Sequence, residues 1–157
     1  MSFQIIANFR KPRKGILQEP NTILRTICTP VKEIDKSTKE IAKKLIDIMH
    51  EVDRPYKIWL GMAAPQIGCN QRIIAIKKSY HDYLIMVNPE IMEQKFLLPT
   101  ITGCYSVSGL YLTNSHYYFK IKYLTLDGEN KTEIFIGGSA VLLQQEIDHL
   151  NGKLICD

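Results

Sequence analysis

The sequence predicts an α+β domain of mostly antiparallel strands packed around a C-terminal helix. Three observations predict it. An apolar stripe at helical spacing follows residue 37, a series of short β-branched runs fills the middle of the chain, and a second amphipathic segment begins near Ser139. The order helix, several strands, helix fits antiparallel pairing better than repeated strand-helix-strand units. With 157 residues, 45% of them hydrophobic, the chain has the size and composition of one domain with an ordinary core.

The chain opens with Phe3, Ile5, Ile6 and Phe9 mixed with Arg10, Lys11, Arg13 and Lys14 and no acid. Residues 1–14 therefore read first as a basic tail, with an added edge strand or a weak targeting peptide as alternatives, and residues 15–157 as the domain. From Gly15 to Pro30 the pattern is loop-like, punctuated by Pro20 and Pro30. The first helix follows. Ser37 and Glu40 form a capping-box pattern, and Ile41, Leu45, Ile48, Met49 and Val52 recur at helical spacing until Pro55.

Residues 72–76, 83–87 and 91–98 read as three short strands, the last two divided by Pro89. Residues 117–126 and 131–136 read as a long hairpin around Asp127-Gly128, since Asp-Gly suits the positive dihedrals of a tight turn. The second helix carries Leu143, Ile147 and Leu150 on one face and stops at Asn151-Gly152.

Charge and cysteine usage exclude several classes. There are 20 Lys and Arg against 16 Asp and Glu, and the net charge of +4 is too small and diffuse to argue for direct nucleic-acid binding. No apolar run approaches the roughly 20 residues of a membrane span, and the N-terminus lacks the layout of a secretory signal, so no membrane association and a cytoplasmic location are expected. Cys28, Cys69, Cys104 and Cys156 are scattered and form no CxxC pair, so they read as reduced thiols.

The second helix carries Gln145-Glu146-Ile147-Asp148-His149, one residue away from HExxH. In that pattern two histidines four apart bind one metal ion from a single helical face, and the glutamate between them moves a proton during hydrolysis. Alone, a Glu and a His three apart describe an ordinary polar helix face. Two further stretches add weight: Gly61-Met62-Ala63-Ala64-Pro65-Gln66-Ile67-Gly68, and Gly103-Cys104-Tyr105-Ser106 before Gly109-Leu110-Tyr111.

In order and approximate spacing these three segments resemble the signature motifs of the peptide deformylases, GxGxAAPQ, EGCLS and HExDH. The similarity runs from about Gly15 to the C-terminus and includes Leu24-Arg25, Pro30-Val31 and His149-Leu150-Asn151-Gly152. The resemblance implies a hydrolase of protein biosynthesis that removes the formyl group from N-formylmethionine of nascent peptides. It implies one divalent metal ion, iron, zinc or nickel, held by one cysteine and two histidines.

Carried over residue by residue, Cys104 and His149 would be metal ligands and Gln145 falls on the other histidine. Glu146 would shuttle the proton, Gln66 and the backbone N–H of Tyr105 would donate to the developing oxyanion, and Gly61 and Gly103 would lie against the substrate. Each has a plain structural reading beside this one. Gln66 could tie two loops together, Cys104 could be an inert core thiol, and His149 could sit at the helix end for its dipole.

The departures from the pattern are specific. Gln145 offers an amide oxygen, a weaker donor than imidazole to iron, zinc or nickel. Thr102 replaces a glutamate and His116 an arginine, which removes a charged brace, and Trp59 stands where a glycine is expected. These motivate an alternative, a catalytically impaired deformylase-like binding protein, and a third reading, hydrolysis of another N-acyl amide. The sequence ends at Asp157, soon after the motif helix, so ribosome contact through a further C-terminal element is not expected.

Overall fold

A computed structural model describes residues 2–6, 12–52, 60–79 and 82–157. The expectation placed on Trp59 and the close of the first helix at Pro55 lie outside these residues. The described chain runs β1 (Phe3–Ile6), α1 (Lys36–Val52), β2 (Gly61–Ala63), β3 (Ile73–Ser79), β4 (Asp82–Thr102), β5 (Leu110–Leu124), β6 (Asn130–Ile136) and α2 (Gly138–Leu150), with single 3-10 turns at Thr22–Arg25 and Ala64–Ile67. The α+β class and the antiparallel pairing are as the sequence predicts.

One sheet is ordered β1-β5-β4-β3-β2, with β6 also on β5, and every strand pair is antiparallel. The alternation of β3 builds three layers from it. Ile73 and Ala75 join a core with Leu45 and Met49 of α1, while Ile74 and Ile76 join a second core with Leu143, Ile147 and Leu150 of α2. A strand buried on both faces reads as a continuous apolar run, which is what residues 73–76 are.

Helix α1 buries Ala42, Leu45, Met49 and Val52, one stripe at spacings of three and four. Its cap differs from the expectation. The helix begins at Lys36, and the Asp35 carboxylate accepts from the Thr38 N–H at 2.8 Å and the Thr38 hydroxyl at 3.0 Å. Asp35 rather than Ser37 is the residue that satisfies the first orphan donors.

The two strands expected around Pro89 are a single 21-residue β4. The pairing register with β5 shifts between Val87 and Glu90, so Asn88-Pro89 sits in a bulge instead of ending the strand. Asn88 takes φ 50°, and its side-chain amide makes reciprocal 2.8 Å bonds with the backbone of Val31. The hairpin expected around Asp127-Gly128 forms between β5 and β6 with a wider turn, residues 125–129, in which Gly128 takes φ 81° and its N–H donates to Thr125 O. Residues 3–6, inside the stretch favoured as a tail, pair with Leu110–Leu112 of β5 as an edge strand.

α2 ends as expected, at Asn151-Gly152. Gly152 has φ 71°, its N–H donates to His149 O, and a Cβ there would meet Arg25 O at 2.6 Å. No described helix is long and apolar enough to cross a membrane.

Candidate active site

Three pieces of chain converge between the sheet and α2. The first is the 3-10 turn after β2, where Pro65 fixes the entry and Gly68 closes it in the left-handed region at φ 84°. It carries Gln66. The second is the loop from Gly103 to Gly109 that reverses the chain between β4 and β5, and it carries Cys104. The third is α2, which presents Glu146 and His149 inward among Leu143, Ile147 and Leu150.

The three pieces are joined by a chain of polar contacts. Cys104 Sγ lies 3.1 Å from His149 Nε2, and it accepts from the Ser106 N–H at 3.3 Å and from Gln66 Nε2 at 3.5 Å. Gln66 Nε2 also donates to Ser106 Oγ at 3.1 Å, while Gln66 Oε1 accepts from the Ala63 N–H at 2.9 Å. All four side chains are buried. The amide of Gln66 is thus held from both ends, as a buried amide must be to offset its desolvation.

Glu146 is 2% exposed, and one of its oxygens, Oε2, has no hydrogen-bond partner among the described residues. Burial drives its carboxyl up to about 8, with the nearby His149 opposing and Cys104 adding to the rise. Burial also lowers the pKa of His149, against the pull of Glu146 and Asp148. Glu146 Oε1 occupies the space beside Gly61, where a Cβ would stand 2.8 Å from it. The glycine is therefore required by the glutamate.

Gln145 stands one turn before His149, half-buried, and its Nε2 donates to Gly103 O at 3.4 Å. It ties α2 to the residue preceding Cys104. Tyr105 is buried too; its carbonyl accepts from Gln18 Nε2 at 2.9 Å and its hydroxyl reaches Val52 O at 3.5 Å. In place of a charged brace, Thr102 and Thr113 pair through their hydroxyls at 3.4 Å, and His116 meets Gln144 through its N–H at 2.8 Å. His50 is occupied with Tyr83, ring centroids 4.9 Å apart.

The donor set can be tested against a metal. Ligand distances of about 2.3 Å for sulfur and 2.0–2.1 Å for imidazole in a tetrahedral site hold those two atoms roughly 3.5 Å apart. The Cys104–His149 contact is a few tenths of an ångström shorter, so a small opening of the pair admits a cation. A thiolate and an imidazole suit a borderline divalent ion. Among the described residues no group of three His, Cys, Asp or Glu is placed to hold an ion, and the side chain one turn before His149 is the Gln145 amide.

Sequence reasoning assigned no role to the segment before the first 3-10 turn, yet it straps the site. The Leu17 N–H donates to Gln66 O at 2.7 Å and the Glu19 N–H to Ser106 O at 2.8 Å, with Gln18 on Tyr105 O between them. Consecutive residues thus fasten both site loops. A loop glutamine carries no periodic signal that could have announced this.

A family model described as polypeptide deformylase matches residues 13–157. The chain is 31% identical over 147 residues to a peptide deformylase of Alkalilimnicola ehrlichii, covering 90% of this chain and 79% of that one. It is 35% identical over 146 residues to a peptide deformylase of Buchnera aphidicola subsp. Schizaphis graminum, covering 90% and 84%. Among solved structures, a peptide deformylase from Legionella pneumophila superposes with a TM-score of 0.80 at 31% identity, covering 92% of this chain and 84% of that one. A peptide deformylase from Thermotoga maritima gives 0.81 at 30% identity, covering 94% and 97%. One from Synechococcus elongatus, in complex with actinonin, gives 0.82 at 28% identity, covering 96% and 80%.

Proposed function

This chain belongs to the peptide deformylase family, and from that premise we propose that it is a working metal-dependent hydrolase that removes the formyl group from N-formylmethionyl peptides. The observation that carries the reading is the convergence of three separate segments into one buried cluster, in which polar contacts join Gln66, Cys104 and His149 and Glu146 lies close beside the last two. Cys104 and His149 would hold the cation, with Gln145 the weak third donor. Iron, zinc or nickel suits that set. When bound, the ion supplies Lewis acidity toward the formyl oxygen and activates the attacking water.

The residues of the chain account for the rest. Glu146 takes the proton lost as water oxygen bonds to the formyl carbon, then delivers it to the amine nitrogen as the C–N bond breaks, leaving formate and a free N-terminus. Burial raises the affinity of Glu146 for that proton toward the pH at which both transfers occur. Gln66 and the Tyr105 N–H would donate to the oxygen as it gains charge. Gly103 would leave room for the peptide backbone, while the room at Gly61, expected for the substrate, is taken by the Glu146 carboxylate. We place this work in the cytosol, where nascent chains are made.

One observation favours the second reading, an impaired deformylase-like binding protein. The Gln145 amide is engaged with Gly103 O and would have to turn to offer its oxygen. Elemental analysis of the purified chain, with turnover of formyl-Met peptide in the presence of iron, nickel and zinc, tests between them. Bound metal with formate release supports the hydrolase; absence of both under saturating metal refutes it.

A further inference from the structure

Strand β4 continues well beyond its neighbour β3, which pairs only with residues Asp82–Val87. From Glu90 onward β4 has β5 on one side, and among the described residues nothing pairs with the other. This open edge is apolar. Met92 is 54% exposed, Phe96 66% and Leu97 55%. A long, exposed hydrophobic edge is a template for another strand, and proteins ordinarily blunt such edges.

The sequence along the edge has its own symmetry. Reversed about Gln94, Glu93 falls on Lys95, Met92 on Phe96, Ile91 on Leu97 and Pro89 on Pro99. At 93 and 95 acid meets base and at 91, 92, 96 and 97 apolar meets apolar, while outside them Glu90 falls on Leu98. The prolines, which cannot donate to a ladder, bound the stretch equally at both ends. A strand whose reverse matches itself in this way is what a two-fold antiparallel pairing of identical chains requires, because residue i must suit residue j and j must suit i. Phe96 adds a second point: it takes φ 61° with its ring mostly exposed, a strained placement for a bulky residue.

We propose that residues 91–97 of β4 form a homodimer interface, pairing antiparallel with the same residues of a second copy about a two-fold axis through Gln94. Within one chain Lys95 Nζ already lies 2.6 Å from Glu93 Oε1 and 5.2 Å from the Tyr118 ring centroid. In the pair each of these charges gains an opposite charge across the axis, and Phe96 packs on Met92 of the second copy.

The test uses the metal-loaded chain in sedimentation equilibrium at micromolar concentration. Wild type is expected to dimerise. Glu93→Lys and Lys95→Glu each place like charges across the axis and are expected to be monomers with unchanged far-ultraviolet circular dichroism. An equimolar mixture of the two is expected to recover a dimer, because two lysines then face two glutamates; a role within one chain would not be rescued by mixing. Gln94→Cys provides an independent check. Directly opposed strand residues stand about 4.5–5.5 Å apart, inside the roughly 4.4–6.8 Å window of a disulfide, so oxidation should give a cross-linked dimer absent from wild type. A monomeric wild type, dimeric single variants, or a mixture that stays monomeric would overturn the proposal. If either charge variant fails to fold, failure of the Gln94→Cys cross-link overturns it instead.

Discussion

The carboxylate of Glu146 rests against the bare Cα of Gly61: a Cβ at that position would stand 2.8 Å from Oε1 and 2.9 Å from Cγ. The two residues come from different motifs and one dictates the other. Gly61→Ala should displace the carboxylate by about an ångström and lower kcat about 100-fold. Glu146→Ala should cost about 10²–10⁴. Steady-state deformylation with both single variants and the double variant checks this; if Glu146 is the target, the double loses little beyond Glu146→Ala alone.

Gln145→His should raise metal affinity and activity at least about 10-fold, since even outer-sphere changes at metal sites are worth ~10–100-fold. Titration with zinc or nickel, with formate release on the same samples, reads the effect. The substitution also removes the bond to Gly103 O. A loss of affinity would mean that this tether matters more than the donor.

Gln66 is held at both ends and its amide N–H faces the sulfur of Cys104. Gln66→Ala should reduce kcat by about 10²–10³ while moving KM much less, the signature of a donor used in the transition state. A change confined to KM would assign Gln66 to packing.

Asp35 accepts first from the backbone N–H and then from the hydroxyl of Thr38, and both lower its pKa. A folded-state pKa below the unfolded value of about 3.9 means that the cap stabilises above that pH and loses its contribution as pH falls through the folded value. Asp35→Ala should therefore lower the midpoint of thermal unfolding by roughly 2–4 °C near neutrality. In acid the difference from wild type should shrink. Calorimetry across pH is the measurement.

Gly152 ends α2 at φ 71° with its Cα facing Arg25 O. Gly152→Ala should destabilise the fold by at least about 1–2 kcal/mol from the left-handed backbone alone. Denaturant unfolding checks it. Because the Gly152 N–H bonds His149 O, weaker metal retention should accompany the loss.

Much of this was legible in the residues. The stripe of α1 and the run Ile73–Ile76 carry periods that burial enforces, so both elements appear where expected. The N-cap moved by two residues because Ser37 and Asp35 offer the same chemistry, and only the approach of the chain decides between them. Pro89 misled because an Asn-Pro signal is local, whereas the bonds that turn it into a bulge come from Val31, 57 residues away. The resemblance of three motifs singled out Gln66, Cys104, Glu146 and His149 together, and the structure brings these four side chains close to one another. The strap through Gln18 and the tether from Gln145 to Gly103 were not legible, since a hydrogen bond across the fold leaves no mark on sequence period.

The joining of α2 to the segment near residue 28 has a bearing on synthesis. Cys28 N donates to Leu150 O, and Arg25 forms ion pairs with Glu19 and Asp157. The contacts to Leu150 and Asp157 join parts of the chain more than 120 positions apart, the kind of closure that folds slowly because its entropy must be met before contacts form. The early strands and the Gln66 turn must therefore wait, without their partner helix, until translation has passed residue 150. During that interval the faces of β3 and β5 that α2 will cover lie open, so the emerging chain is most exposed to aggregation just before it becomes competent.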